Sequence, residues 1–164
     1  MGLKDLLEMA SFVVTVIGLP FAIGAFLFEQ RRERENEDEE AYQLLSNAYN
    51  DFLKVVLANA DLKLRSTTAL PHPTPEQNER RLVIFDMLVS LFERAYLVAY
   101  KPQMGPTEQR RWNSWEDYMR EWSRRDDFFN ALLLLLRGED PEFQRYILRI
   151  AQEERGMSGL VAAH

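Results

Sequence analysis

Cysteine is absent from the 164 residues, and histidine occurs only as His72 and His164. Without cysteine there is no disulfide, no thiol nucleophile and no thiolate metal site. Neither histidine stands in an H-E-x-x-H or E-x-x-H pattern, which removes zincin and di-iron readings. The seven glycines assemble neither a phosphate-cradling loop nor a G-x-S-x-G turn. No stretch repeats at the period of a solenoid. Net positive charge is missing too: the chain carries −6, which speaks against a general nucleic-acid binder. No cofactor, metal or nucleic acid is expected from these residues.

Charge of either sign is missing from MASFVVTVIGLPFAIGAFLF, residues 9–28. Twenty helical residues rise about 30 Å, the hydrocarbon thickness of a bilayer. A cleaved signal peptide is the rival, with Ala22-Ile23-Gly24 as its cleavage site. The preceding MGLKDLLE sets one lysine against Asp5 and Glu8, however, and the apolar run continues past that site to Phe28. The expectation is an uncleaved transmembrane helix over 9–28 behind a short extracytoplasmic tail, 1–8. Arg31, Arg32 and Arg34 follow the span closely, while only Lys4 and the terminal amine precede it. That asymmetry orients the N-terminus outward and the remainder into the cytoplasm. The three arginines can also contact anionic head groups. Inside the span, Ser11, Thr15, Gly18, Ala22 and Ala25 recur every three or four residues. They form a stripe of small side chains on which a second helix can pack in lipid.

Residues 29–41 hold neither glycine nor proline and continue the helix as a charged stalk. The helical domain is expected over 42–156. Its first stripe is Tyr42, Leu45, Tyr49, Phe52 and Val56, ending near Asn59. A proline-rich loop over 66–74 follows, because Pro71 and Pro73 cannot hold a helix interior. Thr74-Pro75-Glu76-Gln77 reads as a capping box with proline at the first position. The helix behind it places Leu82, Phe85, Val89, Phe92 and Tyr96 on one face. After a turn at 101–106, Thr107 is the expected cap of a helix carrying Trp112, Trp115, Met119 and Trp122. Asp126 or Asp127 caps a short apolar helix stopped by Gly138. Asp140-Pro141 starts the last helix, with Phe143, Tyr146, Ile147 and Ile150 inward and an end at Gly156. A flexible tail is expected over 157–164. The fold class is all-α, a bundle of about five helices.

Two constellations are the candidates for chemistry. Asp86, Ser90 and Glu93 share a helix face, so Asp86 and Glu93 could do acid–base work if buried together, although such a face is ordinarily solvated. Trp112, Trp115, Tyr118 and Trp122, beside Arg110, Arg111, Arg124 and Arg125, are the residue types of a protein-contact patch, although tryptophans at helical spacing more often lie in a core.

RLVIFDMLVSLFERAYLVAY, WNSWEDYMREWSRRDDF and GEDPEFQRYI, behind an N-terminal span, resemble a loose group of small bacterial membrane-anchored helical proteins. The resemblance implies the architecture and a bacterial inner membrane. It carries over no activity, catalytic residue or cofactor. The leading expectation is a non-enzymatic single-pass membrane protein whose cytosolic domain binds another membrane protein or a second copy. The alternatives are an oligomeric pore lined by Ser11 and Thr15, and a tethered enzyme using Asp86 and Glu93.

Overall fold

The computed structural model describes residues 19–66 and 68–161. Among them are five α-helices and one short 3₁₀ helix, and no strand. The helices are α1 (Leu19–Ala58), α2 (Pro75–Ala99), α3 (Pro106–Ser123), α4 (Asp126–Leu135) and α5 (Pro141–Val161). The 3₁₀ helix, Ala60–Leu62, follows α1. The chain divides into two units, one ending at Glu40 and one running from Ala41.

In the first unit the described residues belong to α1, and Phe26 and Phe28 are exposed on it. No helix among the described residues is long and apolar enough to cross a membrane. Residues 9–18 of the expected span lie outside the described residues, as does the tail 1–8.

The second unit is a helical bundle with one core. From α1 come Leu45, Tyr49, Phe52 and Val56, three or four residues apart, as the periodicity requires. Phe85, Val89, Phe92 and Tyr96 of α2 are buried, joined by Ile84, Leu88, Leu91 and Ala95. Leu82 departs from the expectation and is exposed, because the stripe's first turn overruns the edge of the core. Phe128, Leu132, Leu135 and Leu136 enter from the region of α4, and Phe143, Ile147 and Ile150 from α5.

Local chemistry sets the helix ends. Thr74 closes the capping box: Gln77 N–H donates to its hydroxyl and Thr74 N–H donates to the Gln77 side chain. Asp140 accepts from the N–H groups of Glu142 and Phe143 at 2.8 and 2.9 Å, as a cap before Pro141 should. At α3 the expected cap is corrected. Gly105, not Thr107, is the N-cap, with Pro106 at the first position and Glu108 accepting from Gly105 N–H at 2.7 Å. At α4 the N-cap is Arg125, and both Asp126 and Asp127 lie in the first turn. Gly138 stands at φ +94°, the left-handed region that suits glycine in the α4–α5 turn. The last helix does not stop at Gly156. It runs through Gly156 and Gly159 to Val161, because each glycine costs a helix only about 1 kcal/mol and no proline follows. Residues 157–161 of the expected tail are therefore helical, and 162–164 lie outside the described residues.

Candidate functional site

The tryptophan helix faces inward. Trp112, Trp115 and Trp122 are almost wholly buried, so the expected contact patch is corrected to core. Trp122 lies edge-on to Phe52 and Phe85, and Trp112 edge-on to Tyr96. Such pairs add to the large apolar area these rings remove from water. Tyr118 alone stays half-buried, stacked on Tyr49 with centroids 4.1 Å apart. The indole N–H of Trp112 donates to Tyr146 Oη at 2.8 Å, and that hydroxyl donates to Glu116 at 2.7 Å. Burial opposes ionisation of Glu116, but hydrogen bonds from Tyr146 and Arg120 outweigh it and hold the carboxyl below its ordinary range. Arg120 also donates to Glu153 at 3.0 Å, so the Glu116–Arg120 pair is one end of a bridge between α3 and α5.

The carboxylate constellation is rearranged by the fold. Asp86 and Ser90 are exposed, while Glu93 is half-buried and accepts from the backbone N–H of Asp140. The carboxyl facing Glu93 is Glu139, from the α4–α5 turn, and Ser90 Oγ donates to it at 3.4 Å. Burial pushes Glu139 up to about 7, helped by a hydrogen bond and repulsion from Glu93 and by the charge of Asp86. Sequence reasoning missed Glu139 because it lies 46 positions beyond Glu93. The arrangement ties α2 to the start of α5. Among the described residues, no group of three or more carboxylates or histidines is set to hold a metal.

A third feature was not foreseen. Between α1 and α2 lie two adjoining hollows of about 380 and 350 Å³ that share Val55 and Met87. One reaches Ala48 and Arg94, the other Asn59 and Glu79, so the two helices run antiparallel along it. The walls are apolar yet open: Val83 is 56% exposed and Met87 45%. Arg80 closes one end by donating to Asn59 and Asp61. A signal was present in RLVIFDMLVSLF, which is apolar on more than one side of its helix and so has a second face to cover.

Of the small-residue stripe, Ser11, Thr15 and Gly18 lie outside the described residues, whereas Ala22 and Ala25 fall in α1. Arg31, Arg32 and Arg34 follow in the same helix, with Arg32 exposed. Compared with protein families, curated proteins and solved structures, the chain finds no match in any of the three.

Proposed function

We propose that this is a non-enzymatic adaptor, anchored in a bacterial inner membrane by residues 9–28, whose helical domain holds another protein on the cytoplasmic side. The uncharged run and the arginines behind it support the anchor and its orientation. The small-residue stripe gives the anchor a packing face for a neighbouring span. The observation that carries the binding role is the α1/α2 groove. Its apolar walls are left exposed, while the aromatic side chains are spent on the core. Apolar hollows rimmed by charge are what helical modules use to grip partners.

The test is a photoreactive phenylalanine analogue in place of Met87, in the full chain in its own membranes. Irradiation should give a protein adduct from position 87 and none from Gln152, which is exposed on α5. Equal adducts from both positions, or none from 87, would remove the groove as a specific contact.

A further inference from the structure

We infer that the groove's occupant is an amphipathic helix of the partner, about four turns long, antiparallel to α2. Its first turn is acidic over Arg94 and its last turn basic over Glu76 and Glu79. This rests on the adaptor reading and names what that adaptor grips. Both walls are helices whose backbone groups are bonded internally, so neither offers an edge to an extended strand. A row of apolar side chains can seat between them, as one helix's ridge seats in another's groove.

Charge fixes the direction. Among the described residues, Glu79 and Arg94 have no ion-pair or hydrogen-bond partner, and they stand at opposite ends of the groove. Fifteen positions of helix separate them, about 22 Å. Glu76 adds a second acid beside Glu79, only loosely engaged by Arg80 at 3.7 Å. Asp51 shares the hollow of Arg94 but is paired with Lys54 at 2.7 Å, so a partner matches the unpaired charges by bringing an acid to one end and bases to the other. Helices are most stable with acids in the first turn and bases in the last. Both requirements are met when the partner's first turn lies at Arg94.

A second copy offering its own α2 is the main rival, since α2 is acidic early and carries Arg94 late. It satisfies the charges only when antiparallel about Met87. The identity of the adduct at position 87 tells the two occupants apart.

The probe is a fluorescent 18-residue peptide with leucines at heptad spacing, glutamates in the first turn and lysines in the last. A second peptide carries lysines at both ends. Binding is read by anisotropy against the full chain in lipid nanodiscs, with empty nanodiscs subtracted. The first peptide should bind saturably. It should weaken at least tenfold on Met87→Asp and on the double variant Glu79→Lys, Arg94→Glu, and the lysine-ended peptide should bind at least tenfold more weakly to the native chain. A photoreactive group on its first turn should label the Arg94 end of α2. Because these residues are exposed, circular dichroism should show unchanged helicity in the variants. Absent binding, binding indifferent to either variant, or labelling at the Glu76 end overturns the inference. If the peptide fails while position 87 still captures a protein in membranes, the adaptor stands and only the helical occupant falls. If the adduct at 87 is a second copy, the rival replaces it. If position 87 captures nothing, both fall.

Discussion

The hydroxyl of Tyr146 accepts from Trp112 and donates to Glu116, so one oxygen satisfies an indole N–H and a carboxylate inside the bundle. Tyr146→Phe removes it and leaves both groups short of a partner. The expected loss is about 1–3 kcal/mol in urea unfolding, the usual cost of stranding a buried polar group. An unchanged midpoint would contradict the chain of bonds described. Glu139 makes a different prediction. Its carboxyl is raised from an ordinary 4.5 to about 7, so the folded chain holds that proton more tightly than the unfolded chain. The stabilisation it contributes is complete below about 4.5, is lost as the pH rises through 7, and then levels off. Glu139→Gln should therefore flatten the fall in urea midpoint between pH 5 and pH 8. A variant that retains the native slope would show that another group causes it.

At the scale of elements, two junctions can be tested. Arg125 is 4% exposed and donates to the carbonyls of Lys63 and Ser66 and to both carboxylate oxygens of Asp127. Asp127 in turn accepts from Arg81 of α2 at 3.1 Å. The loop after α1, the start of α4 and α2 are thus fastened at one buried pair. Arg125→Ala should cost about 3–5 kcal/mol, since it leaves a buried carboxylate undercompensated. A loss below 1 kcal/mol by chemical denaturation would contradict this. Gly156 lies inside α5, and a Cβ added there meets nothing within 4 Å. Gly156→Ala should raise stability by about 0.5–1 kcal/mol, measured the same way. These elements also show what was legible beforehand. Periodicity is local, so the stripes of α1, α3 and α5 could be read from side-chain spacing alone. The Thr74 and Asp140 caps were equally local. The α3 cap was missed although Pro106 signals it by the same rule that located Pro75 and Pro141. Glu139 facing Glu93, and Asp127 bridging Arg81 and Arg125, depend on contacts 46 positions apart in sequence. No window along the chain contains them. The tryptophans' spacing showed that they shared a face, but which face met the core was decided by the helices packed around it, α1, α2, α4 and α5.

For the whole molecule, the division at Glu40 separates two kinds of physics. Residues 41–164 contain a continuous core, from Leu45 on α1 to Ala151 on α5, at a size ordinary for an independent domain. The preceding segment carries the uncharged run and the basic trio, and among the described residues none before Ala41 belongs to the core. The fragment 41–164 should therefore fold without the first forty residues. It should unfold in one cooperative urea transition with a slope of roughly 1–3 kcal/mol per molar, as a small domain does. A broad, slopeless transition would mean that the core depends on the removed residues. Located in cells, the full chain should stay with the membrane pellet after carbonate washing, and the fragment should appear in the aqueous fraction. A full chain released by carbonate would deny the anchor. A fragment that stays in the pellet would place the membrane attachment in the bundle, where the exposed walls of the α1/α2 groove would then face lipid.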